Sequence, residues 1–120
     1  MLSFDVHIYS YTTNSSTRSL VVYHIAAYDQ SSTAWNGYKA YSEGSGPLTN
    51  LTVRYGIDEN NKKCILIGEV DTTWPYPYIA IHNVHIGWKK TAYDNWATGW
   101  SLGFVTTLPT IKSSITTPNY

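Results

Sequence analysis

The sequence predicts an all-β fold: an antiparallel β-sandwich of jelly-roll type. Three observations carry that expectation. Apolar and polar residues alternate in short runs, the period of a half-buried strand. The runs recur every ~8–12 residues with Gly, Pro, Asn and Asp between them, as in sandwiches and barrels. No window of about twelve residues holds a helical period. The spacing gives roughly seven to nine strands. They form a single domain over residues 1–109, and 110–120 read as a polar tail.

In chain order, Ser3 to Tyr11 alternates cleanly, with Phe4, Val6 and Ile8 on one side and Asp5, His7 and Tyr9 on the other. Thr12 to Ser19 is a polar loop, Leu20 to Tyr28 a second strand, and Asp29 to Thr33 another loop. Trp35 to Tyr41 holds a hairpin signal at Asn36-Gly37, because both residue types tolerate the positive φ of a tight turn. Glu43 to Leu48 is a Gly/Pro connection. Leu51 to Ile57 and Lys63 to Val70 flank the turn Asp58–Asn61 as an antiparallel hairpin. Gly68 interrupts the second of these strands and predicts a bulge or a close backbone approach. Pro75 and Pro77 fix an extended corner. Tyr78 to Gly87 is the longest strand candidate, and Lys89 to Gly99 is a loop. Trp100 to Thr107 closes the sheet, with Trp100, Leu102 and Phe104 on a core-facing side.

Composition narrows the function classes. Lys plus Arg equals Asp plus Glu, so there is no basic excess to neutralise phosphates, which argues against nucleic acid as a partner. No apolar segment approaches the roughly 20 residues of a membrane-spanning helix. Met1 to Phe4 lacks a charged segment followed by an apolar run, so no leader is expected. Cys64 is the single cysteine and reads as a strand residue. Eleven tyrosines against two phenylalanines favour rings with polar tips, the kind used where a surface meets a partner. Four of the five tryptophans (Trp74, Trp88, Trp96, Trp100) fall between Cys64 and Thr106 beside turn residues.

The order of motifs in that stretch resembles the C-terminal receptor-binding tip domain of bacteriophage tail fibres and related tail adhesins. The residues that carry the resemblance are Arg54-Tyr55-Gly56, Ile67-Gly68-Glu69, Trp74-Pro75-Tyr76-Pro77 and Gly99-Trp100-Ser101. They span about half of the chain. The resemblance implies a β-sandwich assembled as a homotrimer at a fibre end, on the virion or otherwise outside the cell. It implies binding to a host cell-surface glycan or outer-membrane protein, with no cofactor and no catalysis. Arg54, Gly68, Glu69, Trp74, Tyr76, Pro77, Gly99 and Trp100 would then serve the fold.

Binding is expected in two loops. Sugar sites place a stacking ring beside short planar acceptors and donors. Tyr93-Asp94-Asn95-Trp96 offers that set, and so do Trp35-Asn36-Gly37-Tyr38 with Tyr41. The bland reading of the first is an Asx turn, and of the second a hairpin tip with half-buried rings. Trp74-Pro75-Tyr76-Pro77 is better read as a core corner than as a sugar shelf. His82 and His85 should face opposite sides of a strand unless a bulge intervenes, so no metal site is expected within one chain. Glu69 and Asp71 could in principle form a hydrolytic pair about 5–10 Å apart. An ion pair between Glu69 and Arg54 is the simpler expectation. The alternative to a fibre tip is a stand-alone, monomeric carbohydrate-binding module or lectin.

Overall fold

A computed structural model describes residues 2–31, 34–68, 74–86, 102–105 and 111–117. Among these residues seven strands, all antiparallel to their neighbours, form two sheets. The strands are β1 (Leu2–Ser10), β2 (Ser19–Ser31), β3 (Ala34–Ser45), β4 (Val53–Asp58), β5 (Lys63–Ile67), β6 (Pro77–Ile86) and β7 (Ile111–Thr117). The first sheet has the order β3-β2-β1-β6 and the second β5-β4-β7. The only helical elements among the described residues are short 3-10 turns at Ser15–Thr17 and Pro47–Asn50.

Alternation in β1 and β2 builds the core directly. Leu2, Phe4, Val6 and Ile8 lie opposite Ala27, Ile25, Tyr23 and Val21, and all eight are buried. Each inward residue therefore meets an inward residue on the next strand, the unit of sheet stabilisation. Val53, Tyr55 and Ile57 of β4 are buried as well, and Val53 and Tyr55 join the same core cluster.

Aromatic residues stitch β3 to β4. Trp35 donates its indole N–H to the Gly56 carbonyl at 3.0 Å and meets the Tyr55 ring edge-on at 6.0 Å. Tyr38 packs on Tyr55 at 5.2 Å, and the Tyr55 hydroxyl donates to the Lys39 carbonyl at 3.1 Å. Burial pushes the Tyr55 phenol well above its ordinary pKa. Tyr23 does comparable work under the Pro47–Asn50 turn. Its buried hydroxyl donates to the Leu48 carbonyl and accepts from the Leu51 amide.

The hairpin of β4 and β5 forms as expected. Asp58 accepts from the amides of Asn60 and Lys62, both at 2.9 Å, which closes the turn. Gly68 shows the anticipated close approach: at φ +94 its backbone lies so near Trp74 that a Cβ would sit 2.9 Å from the indole.

Three expectations are corrected. Asn36-Gly37 is not a hairpin tip. Pairing of β2 with β3 continues past it to Ser31 opposite Ala34, and Ala27 faces both Gly37 and Tyr38. The positive φ of Gly37 (+55) serves a β-bulge instead. Residues 102–105 form no strand, and Leu102, Phe104 and Val105 are exposed, so the side read as core-facing is not buried there. Phe104 meets Trp74 edge-on at 6.0 Å. Within the stretch expected to be a tail, residues 111–117 pair with β4 from Thr117 opposite Val53 to Ser113 opposite Ile57, and after a register shift Ile111 lies opposite Asp58.

Candidate functional site

The outer face of the first sheet collects what the alternation leaves over. Ser3, Asp5, His7 and Tyr9 of β1 point away from the core, beside Ala26, His24, Val22 and Leu20 of β2. Tyr41 and Glu43 of β3 pair with His24 and Val22. On β6, Tyr78 pairs with Tyr9, Ala80 with His7 and His82 with Asp5. Beyond His82 a bulge sets Phe4 opposite both Asn83 and Val84, and Asn83 takes φ +56. The extra residue brings His85 back to the outer side, opposite Ser3. His82 and His85 therefore share a face, by the exception the sequence left open. All four histidines of the chain stand on this one surface.

At its centre a polar ladder crosses four strands. His24 Nδ1 lies 2.7 Å from Asp5 Oδ1, and its Nε2 lies 2.9 Å from Glu43 Oε1. Asn83 donates its side-chain amide to Asp5 Oδ2 at 2.8 Å. The Tyr41 ring stacks on the His24 imidazole, 4.5 Å between centroids and 22° apart. His7 and His82 meet at 4.4 Å. The Asn83 amide holds the Asp5 carboxyl below its ordinary pKa, against the opposing effect of burial, with help from the hydrogen bond and charge of His24 and the charge of His7.

Toward one end of the face the ladder gives way to exposed rings and apolar groups. Tyr9 and Leu20 pair there, and Tyr78 stands beside Tyr9. Leu20 is 65% exposed, Tyr78 64%, and Tyr76 in the adjoining corner 82%. Tyr76 holds φ +40, and the Pro75 carbonyl accepts from the Ser10 hydroxyl, which ties this corner to the end of β1. Tyr11 carries the Arg18 guanidinium over its ring at 4.9 Å. Toward the other end lies an open cleft of about 370 Å³ lined by Ser3, Ala26, Tyr28, Gly37, His85 and Ile86, with Leu2 and Ala27 among its walls.

The expected site residues divide. Asn36 and Tyr41 are exposed, and Tyr41 belongs to the ladder. Trp35, 8% exposed, and Tyr38 turn inward and pack the core, because the bulge carries them between β2 and β4 and not to a tip. Tyr93, Asp94, Asn95 and Trp96 lie outside the described residues, as do Glu69, Asp71, Gly99 and Trp100. Arg54 donates to the Gly68 carbonyl at 3.0 Å; its expected partner Glu69 is not described. Trp74 and Tyr76 separate in role: Trp74 is half-buried against Gly68, while Tyr76 is solvent-facing.

On the second sheet, burial pushes the Cys64 thiol up in pKa, and the Asp58 charge adds to this, which keeps the thiol protonated and unreactive. Burial lowers the Lys63 ammonium, whose Nζ lies 5.2 Å from the Trp35 ring centroid. Neither group faces the ladder. Among the described residues no group of three or more His, Cys, Asp or Glu side chains is arranged to hold a metal ion.

No family model, curated protein or solved structure matches the chain.

The signal that could have located this face was partly visible. Strand alternation already put Asp5, His7 and Tyr9 on one side. What no local pattern supplies is the pairing that sets His24 and Glu43 on one flank of Asp5 and Asn83 on the other.

Proposed function

We propose that this domain recognises a host cell-surface receptor, a glycan or an outer-membrane protein, as the tip of a viral (bacteriophage) tail fibre. In this reading its two sheets form a β-sandwich, and three copies assemble so that weak single sites act together through effective concentration. The observation that carries the proposal is the outer face of the first sheet. Tyr9, Tyr41 and Tyr78 present rings there beside a carboxylate, an amide and imidazoles. Rings supply stacking area, and the fixed planar groups select the geometry of hydroxyls or peptide groups. The order of motifs from Arg54 to Trp100 supports the same reading.

The domain acts by binding and not by chemistry. In this reading His24 serves the ladder, with both ring nitrogens facing carboxylate oxygens.

The test is attachment of the full chain to bacterial outer-membrane vesicles and to purified lipopolysaccharide. Tyr41→Ala with Tyr78→Ala should lower the bound fraction by about tenfold or more, the equivalent of roughly 1.4 kcal/mol. Unchanged attachment of a folded double variant would remove the outer face from the proposal. Sedimentation decides the assembly: a species of three times 13.5 kDa is expected. A species of 13.5 kDa points instead to a monomeric carbohydrate-binding module.

A further inference from the structure

We infer that the cleft at the bulged end of the first sheet is a binding site for a single neutral sugar ring. The inference deepens the receptor-recognition reading and rests on it.

Two bulges stand near the same end of the sheet on its opposite edges, two residues apart along the strands. One sets Gly37 and Tyr38 against Ala27, the other sets Asn83 and Val84 against Phe4. Each holds a residue in the left-handed region, Gly37 at φ +55 and Asn83 at φ +56. A bulge bends its strand and re-aims the side chains beyond it. The cleft lies where these bent ends meet, among Ser3, Ala26, Tyr28, Gly37 and His85. Two bulges so close together are a costly way to end a sheet that needs only to close, since each leaves a residue outside the ladder of hydrogen bonds.

The lining suits one kind of occupant. Its volume of about 370 Å³ falls at the small end of ligand sites, roughly 300–1,000 Å³. Ala26, Ala27, Leu2 and Ile86 make an apolar surface of two small and two branched side chains, and Gly37 adds bare backbone. Around it stand a hydroxyl (Ser3), an imidazole (His85) and a phenol (Tyr28), each able to donate and to accept. A pyranose matches this with a face of C–H groups and a rim of hydroxyls. Among the described lining residues there is no Lys, Arg, Asp or Glu, so a charged ligand would lose solvation without a partner. A purely apolar side chain from a partner protein would leave the Ser3 and His85 groups facing carbon, at a similar cost. Three of the lining residues, Ser3, Ala26 and His85, belong to the recognition face. From Ser3 the outward positions of β1 run through Asp5 and His7 to Tyr9, about 20 Å away at 3.4 Å per residue. A glycan anchored in the cleft would pass over the His24–Tyr41 stack and reach the Tyr9–Tyr78 pair.

The experiment uses the full chain with glucose, galactose, mannose and N-acetylglucosamine in turn, with N-acetylneuraminate and indole as comparisons. Saturation-transfer NMR reads binding, and the His85 ring resonances read location. At least one neutral sugar should bind and shift His85. Ala26→Phe, which fills the cleft, and His85→Ala should each weaken it by about tenfold. Asn60→Ala, in the β4–β5 turn, should leave it unchanged. The inference is overturned if no neutral sugar moves His85, if binding survives both substitutions, or if only indole or only N-acetylneuraminate occupies the site. Should Ala26→Phe fail to fold, His85→Ala and Ser3→Ala at exposed and half-buried positions decide the matter. Vesicle attachment separates the two levels of the argument. Attachment that depends on Tyr41 and Tyr78 without any sugar in the cleft leaves the recognition reading standing and removes this one. A sugar in the cleft of a chain that attaches to nothing does the reverse.

Discussion

The two faces of the first sheet are built from the same strands, often from adjacent residues, and obey different rules. On the inner face, Leu2, Phe4, Val6 and Ile8 meet Ala27, Ile25, Tyr23 and Val21, and nearly every polar atom is absent or tied down. On the outer face, one residue further along each strand, Asp5 meets His24, His7 meets Val22 and Tyr9 meets Leu20. There, rings and apolar groups remain in solvent. A period of two lets one strand specify a core and a surface in alternate positions, so that either can change without moving the other. The same arrangement means that a single-residue slip would exchange them. The bulges at Gly37 and Asn83 are places where the chain accepts such a slip locally.

The sharpest way to break this contrast is to truncate matched positions on the two faces. Ile8→Ala removes a fully buried side chain and should cost about 3 kcal/mol in urea unfolding, from lost transfer energy and the cavity left behind. Leu20→Ala, on the neighbouring strand but in solvent, should change stability by no more than about 0.5 kcal/mol. Equal costs would mean that the outer face is packed under something, and the division of labour would fail. Next in size is Tyr23→Phe. It leaves the ring but strips the hydroxyl that serves the Leu48 carbonyl and the Leu51 amide, so two buried backbone groups lose a partner. About 1–3 kcal/mol should be lost, with no change in attachment to vesicles.

How much of this was legible depends on whether the signal is local. The alternation of β1 and β2 is local, and it placed both faces correctly. So is the Asp58 turn, and so is Gly68, whose lack of a side chain announced a close approach; that the neighbour would be Trp74 was not legible. Asn36-Gly37 shows the limit. The dipeptide reports tolerance of positive φ, and both a tight turn and a bulge need that. Only the pairing of Tyr28 with Asn36 and of Ser31 with Ala34 decides between them. Once it is a bulge, Trp35 and Tyr38 fall inside, and half of the expected binding loop becomes core. The polarity of residues 111–117 (IKSSITT) suggests a tail, although Ile and Thr also favour strands, and their pairing with distant β4 has no local trace. Likewise the ladder joins β3, β2, β1 and β6 across as many as 78 positions in sequence, from Asp5 to Asn83.

Gly68→Ala sharpens the comparison from the second sheet, where close approach and not alternation sets the rule. The added Cβ would meet the Trp74 ring at 2.9 Å, on a backbone whose φ of +94 already disfavours a side chain. Strain of about 1–3 kcal/mol is expected. The readout is thermal unfolding together with a change in Trp fluorescence as the indole is displaced. A variant as stable as the parent would show that the corner yields easily and that glycine is not required there.

The smallest effect tests whether the outer face is electrostatically organised or only decorated. Asp5 is held below the ordinary carboxylate value of about 3.9, first by the Asn83 amide and then by His24. A depressed folded-state value means that the carboxylate adds stability above the unfolded value. That contribution is lost as pH falls from about 4 through the folded value, where both states become protonated. Because the group is partly exposed, the amount should stay under about 1 kcal/mol. The Asp5 carboxyl carbon shift, followed by NMR through this range, should therefore titrate below 3.9 in the parent chain. In Asn83→Ala the midpoint should rise, because the leading hydrogen bond is gone while the His24 contact at 2.7 Å remains. If Asn83→Ala leaves the midpoint where it was, the amide is a bystander. The ladder would then end at Asp5, and the bulge that presents Asn83 would need another reason to exist.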